Sequence, residues 1–597
     1  MSVVLEPARR GMEGVRDSQR VYARENETGL SLDWLTGEAA LYIVLVGVAL
    51  AARLARLGEW PLLKGELDTA LAAWRTLQGS SWRPISYSPL LYDANLLLFG
   101  LTHATDAATR LLAALAGTLL VVLPYRARDV LGRMGALAAA ALLAFTPTWL
   151  VFSRTSDGAI VTAAAATTLL LAAYRYVQRG DPPALHLALF AAAVGLTAGP
   201  GIYTLLITAL LIVGARLLRQ GRDEELARLW ALLRKGLTRE HLFLFVGILL
   251  LLATGLLSNL GGLGATVELA GRWVRELAPA QSGRPWWSTL RALGACELLT
   301  VFLALVGCIW GLWKRERLDT LLSIWALVAL VLSTLLGHRG PAWMVDLMLP
   351  LVILAARGFE CLWQYVVPKM TLYDLLAIAV TLVIAAFAFL GLAAYVRTAN
   401  KDNLLQMLIG WGVLLGTWAF YYLMGERGGV LRVIAAFAIL LLLAGSLRAT
   451  MSAVYQAGRD PRQPLVHRPT SAQVRDLEHL LRTISSRQAG DPLLLDIDYE
   501  AALDPWMGWY LRDFERAHAM AWVGGSSQAT ALITRPRRQE EWPAGYAGQR
   551  FRLIEEWPDQ ILTPREHLRW LIYRDPVGWE EASEIEVWIR LPQGDKE

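Results

Sequence analysis

Apolar residues recur along this chain in runs of about 20, and that pattern admits few folds. The runs fall at roughly 39–57, 107–125, 132–152, 158–176, 184–198, 201–218, 241–260, 292–313, 318–337, 342–364, 373–396, 403–424 and 429–448. A run of this length crosses a bilayer as a helix, because a helix satisfies its backbone N–H and C=O groups where there is no water. About thirteen spans are therefore predicted. The run at 184–198 is short for a span, and the apolar stretch from Pro89 to Leu101 is expected to lie in the interface. Composition agrees: 55% of residues are hydrophobic, only 18% are charged, and the mean hydropathy is +0.39. A soluble chain carries more charge.

Orientation follows from Lys and Arg in the short loops. Arg9, Arg10, Arg16, Arg20 and Arg24 precede the first span, which puts the N-terminus in the cytoplasm. Counting spans from there places Arg126 and Arg128, Arg175 and Arg179, the 216–239 segment, Lys314 to Arg317, Lys369 and Arg427 on the same side. An odd number of spans leaves the C-terminal part outside. The long polar N-terminal segment lacks the geometry of a cleavable signal. Residues 1–35 read as a cytoplasmic tail, 36–450 as the membrane domain and 451–597 as an extracytoplasmic α/β domain. In that last part, helices are expected at 471–487, 505–518 and 564–573, and strands at 493–497, 529–534 and 584–591. Cys296, Cys308 and Cys361 fall in predicted spans, so the exposed parts offer no disulfide or Cys-zinc site. The net charge of +5 is spread over cytoplasmic loops, a topology signal rather than a nucleic-acid footprint.

The outer loops hold the chemistry candidates. The first, 58–106, is far longer than a turn, and long ordered loops are usually functional. It opens just after the first span with Trp60-Pro61-Leu62-Leu63-Lys64-Gly65-Glu66-Leu67-Asp68. Carboxylates held at a membrane surface among cations are candidates for catalysis. Others are Arg154 and Asp157 in the second loop, Arg284 beside Trp286 and Trp287 in the 261–291 loop, and His338 and Arg339 before Pro341. Each has a plainer alternative. Glu66 suits an interfacial loop acid, Asp68 a first-turn helix acid, and Asp157 the N-cap of the next span. Arg154 suits a snorkelling anchor, Arg284 an aromatic-belt anchor, and His338 with Arg339 a polar turn. Trp506, Trp509 and Tyr510 suit either a core or membrane-resting face or an aromatic platform for a ligand.

The order of several short motifs resembles a known family. Pro89-Leu90-Leu91-Tyr92 is followed by Ala108-Thr109-Arg110-Leu111-Leu112-Ala113-Ala114, by Thr146-Pro147, and by Ser153-Arg154-x-x-Asp157. Arg284-Pro285-Trp286-Trp287 then leads to Cys296-Glu297, Pro341-x-Trp343 to Leu349-Pro350, and Asp504-Pro505-Trp506-x-x-Trp509-Tyr510 stands in the outer domain. This resembles the GT-C membrane glycosyltransferases of the protein O-mannosyltransferase type (family 39). The likeness leans to the bacterial and archaeal branch labelled flippase-activity-associated proteins. It covers about residues 50–350 well and the rest more loosely.

The resemblance implies a polytopic helical enzyme with an essential acid in its first outer loop. Such an enzyme transfers a sugar from a polyprenyl-phosphate donor to a protein, lipid or glycan acceptor on the outer face. The chain departs from the pattern at four places. Gly65 stands where members carry the first acid of an Asp-Glu pair, Ser88 and Asp346 stand where they carry His, and Gly337 to Ala342 differs from their Gly-Glu-Lys-Met-Pro-Trp. Either the substrate differs or catalysis has weakened.

The reaction needs a base for the acceptor hydroxyl, cations for the leaving phosphate and a greasy groove for the prenyl chain. Glu66 is the first choice for the base and Asp68 the second. Asp157 is placed at the acceptor or at a metal, and Arg154, Arg284, His338 and Arg339 at the phosphate. On one helix Glu66 and Asp68 would point about 200° apart and share no site. Glu66, Asp68 and Asp157 offer oxygen ligands for a hard divalent cation, though no spacing rule supports one. The alternatives are a non-catalytic relative that binds or presents a polyprenyl-linked glycan, and a flippase or transporter. The spans lack the mid-membrane acid–base pairs or paired broken helices that transporters use, with Glu297 the one exception.

Overall fold

The computed structural model describes residues 36–80, 87–218, 231, 236, 238–277, 286–334, 340–424, 427–456, 460–523, 527–537, 545–557, 563–575 and 580–591. The predicted tail, 1–35, lies outside them. Residues up to Val48 form one unit, of which the start of the Gly37–Leu54 helix is described. The second unit runs from Ala49 to Glu597.

Each predicted apolar run holds a helix, but not each run is one straight span. Seven described helices are long and apolar enough to cross a membrane, among them Asp106–Arg126, Ala159–Arg179 and Leu372–Thr398. The 292–313 run is not a single rod: Ser288–Cys296 and Leu298–Lys314 meet at 99°. The 132–152 run also breaks, into Arg133–Phe145 and Pro147–Phe152, because Pro147 lacks the N–H that would continue the ladder. The two breaks meet. The Thr148 amide, freed at the start of the short helix, donates to Glu297 Oε1 at the bend (2.8 Å), and Thr300 Oγ1 donates to Oε2 (3.1 Å). Pro182–Ala198 and Arg133–Phe145 are shorter apolar helices, and the 241–260 run is helical only over Arg239–Ala253.

Small residues let these helices approach closely, as is usual where lipid cannot drive packing by the hydrophobic effect. A Cβ at Gly307 would lie 2.2 Å from the Leu354 carbonyl, and one at Gly358 would lie 2.1 Å from that of Leu303. The Leu298–Lys314 and Trp343–Val366 helices therefore pack backbone to backbone.

The first loop contains the helices Lys64–Leu77 and Pro89–Leu101. Ser88 caps the second, its Oγ accepting from the Leu91 amide (3.3 Å) and donating to the Thr197 carbonyl (3.0 Å). The segment expected as a loop after residue 261 is instead the helix Gly261–Leu277.

The C-terminal part is a mixed five-stranded sheet with helices. Its strands are β1 Ile497–Glu500, β2 Ala517–Met520, β3 Ala531–Thr534, β4 Tyr546–Glu556 and β5 Glu581–Arg590, in the order β2-β1-β3-β5-β4. β1 runs parallel to β2 and β3, and β5 runs antiparallel to β3 and β4. Central β3, Ala-Leu-Ile-Thr, is buried throughout, as a strand covered on both faces must be. Val474, Leu477 and Leu481 of the Gln473–Gln488 helix share a core with Ile497, Ile533 and Val587.

Two expectations need correction here. The strand predicted at 493–497 begins at Ile497, and the helix predicted over 505–518 is only Trp506–Tyr510, giving way to β2. Ala517-His518-Ala519-Met520 is too short to show period-2 alternation, so β2 escapes a pattern reading.

Candidate active site

The first loop and the C-terminal part are joined by paired polar groups. Asp106, at the head of the Asp106–Arg126 helix, accepts from Trp509 Nε1 (2.8 Å) and Arg475 Nη2 (2.6 Å). Tyr510 Oη accepts from the Leu62 amide (2.8 Å), and Thr470 Oγ1 donates to the Leu62 carbonyl (2.6 Å). Arg512 reaches the Ala104 carbonyl and stacks 4.2 Å over Trp509. Trp509 and Tyr510 are buried in this seam. They are core, not a sugar platform. Burial pushes the Tyr510 hydroxyl well above the ordinary phenol range.

Glu66 sits beneath this seam with both oxygens engaged. Arg110 Nε donates to Oε1 (2.8 Å) and Nη2 to Oε2 (2.9 Å). The Ser156 amide donates to Oε1 (2.8 Å) and the Leu63 amide to Oε2 (2.8 Å). A carboxylate offers about four lone-pair sites, and four donors fill them here. Arg110 also reaches the carbonyls of Leu57 (3.1 Å), Trp60 (2.9 Å) and Pro61 (3.0 Å). Both side chains are buried, at 1% exposure each. Glu66 thus fixes the entry of the Lys64–Leu77 helix and has no free lone pair for an acceptor proton. A signal for this was in the sequence: Arg110 lies inside an apolar span, where a cation needs an acid partner.

Asp68 points away from Glu66, as expected for two residues apart on one helix, and pairs with Lys64 at the surface (2.9 Å). Arg154, expected at a phosphate, is spent elsewhere. Its Nη1 donates to the carbonyls of Ala52 (3.0 Å), Arg53 (2.8 Å) and Ala55 (2.6 Å), and Nη2 to that of Arg56 (3.0 Å), which closes the C-terminal turn of the first helix. Arg284, His338 and Arg339 lie outside the described residues.

Asp157 stands apart from these. Oδ1 accepts from the Ala159 amide (3.0 Å) at the start of the Ala159–Arg179 helix. It makes no ion pair among the described residues and is only half-buried. Desolvation, reinforced by the charge of Glu66, pushes its carboxyl up to about 7 against the pull of the Ala159 amide. A second acid lies nearby. Asp346, in the first turn of the Trp343–Val366 helix, accepts from Thr204 Oγ1 (3.0 Å), which in turn accepts from Trp273 Nε1 (3.2 Å). The turn from Ala198 to Gly201 lies between the two acids. A Cβ on Gly158 would meet the Ala198 carbonyl at 2.2 Å, and one on Gly201 would meet Asp346 Oδ1 at 2.4 Å. Asp346 is half-buried.

Gly65, where the resembled family carries its first acid, is exposed, and a Cβ added there would meet nothing within 4 Å. Among the described residues no group of three or more His, Cys, Asp or Glu is placed to hold a metal ion. Glu66, Asp68 and Asp157 do not converge.

The comparisons with known proteins fit this architecture. A family model described as dolichyl-phosphate-mannose-protein mannosyltransferase matches residues 89–258. No curated protein sequence matches the chain. Among solved structures, ArnT from Cupriavidus metallidurans in the apo state superposes with a TM-score of 0.52 at 16% identity, over 84% of this chain and 94% of that one. The same protein bound to undecaprenyl phosphate gives 0.51 at 16% identity, over 85% and 94%. The oligosaccharyltransferase of Archaeoglobus fulgidus in its apo form gives 0.47 at 12% identity, over 83% and 69%. With its helical membrane part and small C-terminal sheet, the chain has an ArnT-like GT-C fold.

Proposed function

We propose that the protein transfers a sugar from a polyprenyl-phosphate donor to a protein, lipid or glycan acceptor, on the membrane face that carries the C-terminal α/β part. We place that face outside the cytoplasm, from the distribution of Lys and Arg. The observation that carries the reading is Asp157. It is a half-buried carboxylate without an ion-pair partner among the described residues, at the mouth of a span, beside the saturated Glu66–Arg110 pair.

In this reading Asp157 takes the proton of the acceptor hydroxyl. The acceptor oxygen then bonds to the anomeric carbon, and the bond from that carbon to the phosphate oxygen breaks with its electron pair. The polyprenyl phosphate leaves carrying the charge, and Arg284, His338 and Arg339 are the cations assigned to it. A general base whose pKa lies near neutrality suits this step. Glu66 and Arg110 hold the loop on which the site rests. The polyprenyl donor is supported by the fold shared with a protein solved bound to undecaprenyl phosphate.

One observation favours a second reading, a non-catalytic relative that binds a polyprenyl-linked glycan. Position 65 is open and acid-free, and the neighbouring Glu66 is fully engaged. Sugar transfer from labelled polyprenyl-phosphate sugars by the purified protein in lipid separates the two. Transfer by the wild type that is lost in Asp157→Asn supports the enzyme. Saturable lipid binding without transfer supports the binding protein.

A further inference from the structure

We infer that the membrane face opposite the candidate active site holds a phospholipid by its phosphate, in a site built by the far ends of the Asp106–Arg126 and Ala159–Arg179 helices. The first begins at Asp106, against Trp509 of the C-terminal part, and the second begins next to Ser156, which binds Glu66 of the first loop, so their last turns lie on the other side of the membrane.

Two cavities join there. One, of about 360 Å³, runs among apolar side chains that include Leu120, Leu143, Leu205, Leu349 and Trp325. The other, of about 300 Å³, is lined by Arg126, Asp129, Arg175, Gln178 and Arg179. Ala127, Val130, Leu171 and Tyr174 line both, so the apolar slot opens into the basic one.

Three guanidinium groups face one carboxylate in the second cavity. Among the described residues no acid forms an ion pair with Arg126, Arg175 or Arg179, and Arg175 Nη2 donates to the Arg126 carbonyl (3.3 Å). Helix C-termini repel anions, so these side chains rather than the backbone would hold the phosphate. Arginines that only anchor a helix in its leaflet need no cavity behind them. Here a hydrocarbon-sized apolar slot is continuous with the charged mouth, the shape of a phospholipid with its chain inward. Basic pockets between helices on the cytoplasmic side take lipid phosphates in this way. The occupant enters from the face opposite Asp157 and is therefore not the sugar donor.

The test is native mass spectrometry of the full chain from mild detergent, supplied with phosphatidylglycerol or with diacylglycerol, which lacks the phosphate. Wild type should retain phosphatidylglycerol and not diacylglycerol, and inorganic phosphate should not displace it. Arg126→Gln with Arg179→Gln, both at exposed positions, should lower retention by about tenfold or more. Leu171→Trp, which fills the junction, should lower it as well. Equal retention by the double arginine variant, equal retention of diacylglycerol, or displacement by free phosphate would each overturn the assignment.

Discussion

Glu66 and Asp157 lie in neighbouring loops, yet they stand in opposite states. Glu66 is fully buried with four donors on two oxygens, two of them from a guanidinium whose remaining donors are also satisfied. Asp157 is half-buried, bound to one helix amide, and has no cation paired to it among the described residues. A buried charge persists only when paired and hydrogen-bonded, so the Glu66 pair is architecture. An acid that is partly desolvated but still reachable has its proton affinity raised and a lone pair to use. Position in a conspicuous loop does not separate the two roles. The number of donors around each oxygen does.

The comparison breaks most readily at Asp157. Asp157→Asn should lower transfer by about 10²–10⁴-fold with the thermal unfolding midpoint in detergent unchanged or raised. A variant that transfers sugar at the wild-type rate would remove Asp157 from the chemistry. Next in size is the buried pair. Arg110→Met strands the Glu66 charge and should cost about 3–5 kcal/mol of stability, read by thermal unfolding. Adding Glu66→Leu to it should restore much of the loss, since an apolar pair of similar volume often replaces a buried ion pair without penalty. A double variant as unstable as Arg110→Met would mean that the amide bonds, not the ion pair, hold the loop.

The pH dependence sharpens the contrast. A base held up to about 7 is protonated below that pH, so transfer should rise with pH through about 7 and then level off. A profile flat from pH 5 to 8 would point to another group. The smallest effect belongs to Asp68. Its exposed pair with Lys64 predicts a change below about 0.5 kcal/mol in stability for Asp68→Asn, with transfer unchanged.

Much of the membrane part was legible in the sequence, because a helix in lipid announces itself by length and apolarity alone. What those rules cannot reach is where a run bends. Pro147 signals one break, but the 99° turn at Glu297 depends on the Thr148 amide donated by a distant segment. The same holds for the site. Glu66 stood out in the sequence as the first candidate for the base, yet its two oxygens are taken up by Arg110, 44 residues on, and only the fold brings them together. Asp346 was visible as a departure from a family pattern, and its nearness to Asp157 follows from the turn at Ala198–Gly201. In the C-terminal part, Tyr546–Glu556 was missed as a strand, since its exposed Gly548, Gln549 and Arg550 dilute the apolar pattern.

The seam at Asp106 has a consequence for biogenesis. The loop that carries Glu66 is synthesised before the apolar helices that follow it, whereas the groups that pair with its ends, Arg475, Trp509 and Tyr510, come after all of them. The first loop therefore stays incomplete until the helices between them have been made. A truncation before residue 475 would leave every apolar helix in place and still lack the groups that pair with Asp106 and Leu62.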